Sequence, residues 1–138
     1  MKSYAITPHT ADVRLFVKAP SLEKLFAHAL EGMNRILNKE YERSLNKHTL
    51  VREITIAACD PTSLLIDFLS EVLTLSHINK AIFYTVDRLE LEGNALHAHI
   101  VGAKVDMFME DIKAVTYHEA DVRQNDKGEY GTTIVFDI

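Results

Sequence analysis

The sequence predicts a two-layer α/β fold of the α+β type, in which two helices pack on one face of a mixed, largely antiparallel sheet. Apolar residues recur at helical spacing after Ser21 and again after Asp60. From Lys80 onward the period is close to two, which is the spacing of strands. The resulting order is strand, helix, strand, helix and then strands linked by hairpins, and it favours helices gathered on one side of a sheet.

The size and composition of the chain indicate one domain. A length of 138 residues is sufficient for one substantial core, and we expect residues 1–138 to form a single unit. The net charge of -5 argues against direct binding of nucleic acid, which usually requires a basic surface. No apolar run approaches the roughly 20 residues that span a bilayer, so we expect no membrane association.

Cysteine content and the start of the sequence predict a cytoplasmic protein. A single cysteine, Cys59, excludes an internal disulfide and fits a reducing compartment. We interpret Cys59 as a small buried residue rather than a nucleophile. Met1 is followed by Lys2 and Ser3 and not by the apolar segment of a signal peptide.

The first half of the chain contains the two predicted helices. A strand over residues 13–18 ends at Pro20, and Ser21 then has the residue type of a helix N-cap. A second strand over residues 48–58 precedes Asp60 and Pro61, a strong helix start. The buried stripes of the two helices are predicted to contain Leu22, Leu25, Phe26, Ala29, Leu30, Met33, Ile36 and Leu37, and Leu64, Leu65, Phe68, Leu69, Val72 and Leu73.

The second half is predicted to be mostly strand. Residues 81–91 and 95–101 alternate on either side of a turn at 92–94, which indicates a hairpin. Residues 112–123 are predicted as one long strand, followed by a tight turn at 125–128 and a last strand over 130–137. The segment 104–111 fits either a loop or a short helical turn.

Two ends of the sequence carry acids that could form a metal site. Asp12 follows the break at Pro8, at the start of the first strand, and Asp137 and the α-carboxylate of Ile138 lie at the end of the last one. If these strands are neighbours, three anionic groups meet and require a cation. Carboxylates without cysteine suit hard ions such as Ca²⁺ or Mg²⁺. The alternative is a turn acid at one end and a frayed terminus at the other.

Other polar residues admit both functional and structural interpretations. His97 and His99 share one face of a strand and could chelate a transition metal, but no third ligand is evident, and His118 lies on another strand. His9 could orient Asp12 or bind a ligand, or it could cap a turn. Lys113 could pair with the acids or contact a partner, or it could belong to a solvated strand face.

Five segments together resemble the archease family. They are His9–Val13, Ser21–Phe26, Leu64–Leu73, Ile112–His118 and the terminal Asp137–Ile138, in the family's order and over nearly the whole chain. The family usually has Trp where Phe68 stands and Asn where Ser70 stands. It commonly has glycine at the positions of Arg14 and of Ala19-Pro20, and Arg14 could reach toward the acidic pocket.

The resemblance implies a protein that assists an RtcB-type RNA ligase and is not itself an enzyme. Archeases promote guanylylation of the ligase and its multiple turnover in tRNA splicing or RNA repair. The resemblance also implies that Asp12, Asp137 and Ile138 bind a divalent cation, Ca²⁺ foremost with Mg²⁺ or Mn²⁺ as alternatives, and that Lys113 and His9 support the site or contact the partner. We expect a monomer or a weak homo-oligomer.

Two other functions fit the same residues. A metal-dependent hydrolase could use the acids and His9 with a bound water. A general chaperone or interaction module could dock partners through the hairpin strands or through the helix face that carries Asp67 and Glu71.

Overall fold

Helices and strands alternate early in the chain, and strands dominate later, in a computed structural model that describes residues 12–44 and 49–138. The predicted strand residue His48 and the site residue His9 lie outside these ranges. The elements are β1 (Asp12–Ala19), α1 (Leu22–Leu37), α2 (Tyr41–Ser44), β2 (Thr49–Ala57), α3 (Pro61–Asn79), β3 (Ala81–Glu92), β4 (Ala95–Lys104), β5 (Ala114–Thr116), β6 (Arg123–Gln124) and β7 (Tyr130–Asp137).

The described strands form two antiparallel sheets. In the first, β7 lies between β1 and β5 and also pairs with β6, and in the second, β4 lies between β2 and β3. The α+β class with two long helices is therefore confirmed. The single mixed sheet of the prediction differs from this arrangement, because alternation of apolar residues marks a strand without specifying its partner.

The two long helices begin at the predicted caps and cover both sheets. The Ser21 hydroxyl accepts a hydrogen bond from the Lys24 amide at 3.2 Å, and the Asp60 carboxylate accepts one from the Ser63 amide at 2.7 Å. Helix α1 packs against β1 and β3, and α3 packs against β2, β3 and β5. None of the helices in the described part of the chain is long and apolar enough to cross a membrane.

The core lies between the helices and the sheets. The rings of Phe26 on α1 and Phe68 on α3 are fully buried, with centroids 5.8 Å apart. Of segment 104–111, for which the sequence left two alternatives, Lys104 ends β4 and the rest is irregular. This part folds back on the end of α1, where the amides of Met109 and Glu110 donate to the Leu37 carbonyl at 2.9 and 3.2 Å.

The long strand predicted over 112–123 is wrong, because β5 ends at Thr116. Glu119 adopts φ 65°, a left-handed conformation that is uncommon without glycine. After the strand ends, side chains that are distant in sequence accept hydrogen bonds from the backbone amides, which no longer pair with a neighbouring strand. The amide of Asp121 donates to the Thr132 hydroxyl and that of Val122 to the Thr62 hydroxyl, each at 2.9 Å. The Tyr117 hydroxyl donates a hydrogen bond to Asp67 on α3, and this contact holds the start of the turn in place.

Truncating the buried aromatic pair should cost much of the stability of the fold. Phe68→Ala should lower the free energy of unfolding by about 3–5 kcal/mol, because it leaves a cavity against Phe26. Phe16, whose exposed fraction is 67%, provides the matched control, and Phe16→Ala should change that free energy by less than about 0.5 kcal/mol. Urea unfolding of both variants measures the difference, and equal effects would contradict the placement of Phe68.

The contact between Tyr117 and Asp67 should be visible in a pH titration. The hydrogen bond to Asp67 raises the pKa of Tyr117 above its usual value, with burial as a smaller cause. The stabilisation that this contact gives is therefore complete below the unfolded-state pKa of about 10 and is lost as pH rises through the folded-state pKa. An NMR titration of the Tyr117 ring should show a lower pKa in Asp67→Asn and an unchanged one in Glu71→Gln. Equal pKa values in the wild type and Asp67→Asn would rule the contact out.

Candidate functional site

The first and last described strands bring the two predicted acids together. Asp12 and Asp137 are direct partners at one end of the β1–β7 pairing. Direct partners in an antiparallel pair project their side chains to the same face, with Cβ atoms about 4.5–5.5 Å apart. The side chain of Asp12 is 36% exposed, Asp137 is partly buried, and the adjacent Ile138 packs against the core. The site residues are thus neighbours at one corner of the first sheet.

Arg14 lies against this acidic pair. Its Nη1 donates to Asp12 Oδ1 at 2.9 Å, and its Nε donates to Glu119 Oε2 at 2.7 Å. The hydrogen bond with Glu119 is the largest cause that raises the pKa of Arg14, followed by the charge of Asp12. The guanidinium therefore supplies positive charge where two carboxylates would otherwise repel each other.

Glu119 is the neighbour of the acidic site that sequence reasoning missed. It lies in the turn after β5 and reaches Arg14 across 105 positions of the sequence. Its left-handed backbone has no signal in the sequence, since the turn contains neither glycine nor proline. The Glu119 carboxylate lies beside Arg14 because β5 ends at Thr116 and the chain turns there.

Lys113 contacts the acidic corner through its backbone. Its amide donates to the Asp137 carbonyl at 2.7 Å, directly before Ala114 pairs with Asp137 in β5. Its side chain is exposed, so the ammonium group remains accessible to solvent or to a partner. Lys113 therefore helps to hold β7 at the residue that carries the candidate ligand.

The donor types at this corner fit a hard divalent cation. Carboxylate oxygens are the ligands that Ca²⁺, Mg²⁺ and Mn²⁺ prefer. Arg14 engages Oδ1 of Asp12 and leaves Oδ2 outside that contact. The ion pair is exposed, with side-chain exposed fractions of 51% and 36%, and such pairs contribute little to stability. A cation could therefore displace Arg14 at small cost.

Other residues considered from the sequence lie elsewhere. Cys59 is exposed and not buried as predicted, because it lies in the bend between β2 and α3. Its Sγ is 3.6 Å from Asp60 Oδ2 and 3.8 Å from Ser63 Oγ, on the outer side of the helix start. His118 is exposed in the turn after β5, whereas His97 and His99 lie on β4 of the second sheet.

Comparison with known proteins gives the same family over nearly the whole chain. A sequence profile of the Archease protein family (MTH1598/TM1083) matches residues 4–138. A protein named archease from Methanosarcina barkeri is 30% identical over 145 residues, covering 99% of this chain and 97% of the relative. One from Pyrococcus abyssi is 28% identical over 153 residues and covers 100% of both.

Two solved structures share the fold. The crystal structure of an archease from Thermotoga maritima, described as a possible chaperone, superposes with a TM-score of 0.65 at 23% identity, covering 100% of this chain and 99% of that one. The solution structure of protein 1598 from Methanobacterium thermoautotrophicum gives a TM-score of 0.68 at 20% identity, covering 98% and 96%. With the profile match and the relatives, the conclusion is that this chain belongs to the archease family.

Proposed function

We propose that this protein is a non-enzymatic accessory protein of an RtcB-type RNA ligase, which promotes guanylylation of the ligase and its multiple turnover in tRNA splicing or RNA repair. Membership of the archease family supports this role. The observation that carries the proposal is the direct pairing of Asp12 with Asp137 at an exposed corner of the first sheet. Such a corner can present carboxylates to the basic, metal-rich active site of a partner.

The working part of the protein is then a divalent-cation site. Asp12, Asp137 and the α-carboxylate of Ile138 supply oxygen ligands, and Ca²⁺ is the first ion to test, with Mg²⁺ and Mn²⁺ beside it. Such an ion would supply positive charge for anionic groups of the ligase or its nucleotide. Arg14, which donates to Asp12 Oδ1, would compete with the ion for this carboxylate.

Arg14 also links the acidic corner to Glu119 in the turn after β5. The guanidinium is held by Asp12 on one side and by Glu119 on the other. Release from Asp12 leaves it attached to Glu119, so its charge stays near the site without covering the ligand oxygen. The exposed Lys113 side chain is a further contact for the ligase on this side of β7.

A general chaperone or interaction module is the second candidate. The irregular segment after β4 exposes Met107 and Met109, with exposed fractions of 66% and 64%. Methionine side chains adapt to varied apolar partners. This function would not require Asp12 or Asp137, and the two proposals therefore differ in what mutation of the acids does.

Cation binding should depend on the acids and should be opposed by Arg14. Calorimetric titration with Ca²⁺ and Mn²⁺ should show affinity reduced about tenfold or more in Asp12→Asn and Asp137→Asn, since each loses a charged ligand. Arg14→Gln should bind several-fold more tightly, because a competing cation is removed. Asp87→Asn, which removes an exposed acid of the other sheet, is the matched control and should bind as the wild type does. Unchanged affinity in both acid variants would exclude the site.

Ligase activation should follow the same residues. A guanylylation assay contains an RtcB-type ligase, GTP, Mn²⁺ and a substoichiometric amount of this protein. The wild type and Asp87→Asn should accelerate nucleotide transfer and support repeated turnover, and Asp12→Asn and Asp137→Asn should not. Circular dichroism establishes that the variants are folded. Activation that persists in both acid variants would favour the interaction module, and absence of activation by the wild type would contradict the proposed function.

A further inference from the structure

Three side chains with metal-binding groups meet on the outer face of the second sheet. His97 and His99 alternate with buried residues of β4, and Glu53 of β2 is the direct register partner of His99. The ligand atoms of all three lie within 4.8 Å of one another. Their side chains are accessible, with exposed fractions of 38% for His97 and 64% for Glu53. Within residues 12–44 and 49–138 this is the one group of three or more such side chains found so close together.

The three side chains of this cluster contact one another directly. His97 Nε2 and Glu53 Oε1 lie at hydrogen-bond distance, 2.5 Å apart. The imidazole rings of His97 and His99 meet edge to face, with centroids 5.2 Å apart. The strand register thus brings the carboxylate of Glu53 and the two imidazoles together on one face.

We propose that Glu53, His97 and His99 form a second metal site, which binds a divalent transition-metal ion of the zinc class. Two imidazole nitrogens and one carboxylate oxygen are the donor set of many open zinc sites, whereas Ca²⁺ and Mg²⁺ prefer oxygen ligands alone. Metal bonds of about 2.0–2.1 Å in tetrahedral geometry set donor atoms about 3.3 Å apart. Binding of the ion would therefore require the distance between His97 Nε2 and Glu53 Oε1 to increase from 2.5 Å to about 3.3 Å.

The surroundings leave room for the remaining ligand. A shallow cavity of about 130 Å³ opens beside His97, lined also by Thr55, Glu90 and Glu92. Glu53 and His99 do not line this cavity, so a water ligand would reach the ion from the solvent side of these accessible side chains. Glu90 is the register partner of His97 on β3, and it is held by Arg88 at 3.0 Å. The site is therefore open on one side, as in labile or substrate-accessible zinc sites rather than closed structural ones.

Binding here would link two strands of the second sheet. Glu53 lies on β2 and both histidines on β4, so the ion adds a cross-strand bridge that the unfolded chain lacks. A ligand that binds only the folded state raises its apparent stability. This site shares no residue with the acidic corner of the first sheet, and the inference does not rest on the proposed ligase function.

Zinc titration of the chelator-treated protein tests the inference. Calorimetry should show one Zn²⁺ bound per chain, with affinity reduced about tenfold or more in each of His97→Gln, His99→Gln and Glu53→Gln. His28→Gln, which removes a surface histidine on α1, should bind as the wild type does. Addition of Zn²⁺ should raise the melting temperature of the wild type and of Asp12→Asn, and it should not raise that of the His97→Gln/His99→Gln double variant.

Spectroscopy of the unaltered protein keeps the test independent of how the variants fold. Imidazole NMR signals of His97 and His99 should shift together on addition of Zn²⁺, and excess Ca²⁺ should not reverse the shift. Absence of zinc binding, zinc binding that persists in the double variant, or shifts confined to other histidines would each overturn the proposal.

Discussion

The antiparallel pairing of β1 with β7 is the constraint on which the rest of the structure depends. It joins strands separated by more than 100 residues, from the pair Ala19–Tyr130 to the pair Asp12–Asp137. Closing so long a loop lowers the conformational entropy of the chain. The burial of apolar side chains on the strands must offset this cost in free energy. Val17, Ile134 and Phe136 are buried on the inner face, where α1 packs against the pair.

The same pairing explains the electrostatics of the acidic corner. Strand β1 places Asp12, Arg14, Phe16 and Lys18 on its exposed side. Two carboxylates that face each other across a pair of strands are unfavourable without positive charge. Arg14 supplies this positive charge from the same strand face as Asp12. The carboxylate of Glu119 in turn balances the charge of Arg14. The negative charge of the corner is therefore compensated within the protein by Arg14.

The two sheets present chemically different clusters on their exposed faces. Oxygen donors dominate the corner of the first sheet, while the second combines Glu53 with two imidazoles. Hard and borderline metal ions prefer these two donor sets respectively. Both clusters arise because alternation in a strand sends every second side chain outward while its neighbours form the core. The core and the candidate sites are therefore built from the same strands.

Local patterns predicted most of the elements. The N-caps Ser21 and Asp60 and the β3–β4 hairpin were predictable because capping, apolar spacing and turn composition act over a few residues. The end of β5 at Thr116 was not, because the side chains of Thr62 and Thr132 that bind the following amides lie far away in sequence. The sequence predicted the meeting of Asp12 and Asp137 only on the condition that the first and last strands are neighbours.

The sequence by itself determined the α+β class, the two long helices, the family resemblance and the candidate acids, because each depends on residue type and short-range spacing. Only the tertiary structure decided that the strands divide into two sheets, that Glu119 binds Arg14, and that Glu53 lies beside His97 and His99. The physical reason is register: which residues face each other across strands is fixed by packing of the whole core and by hydrogen bonds between distant segments, and no local pattern records it.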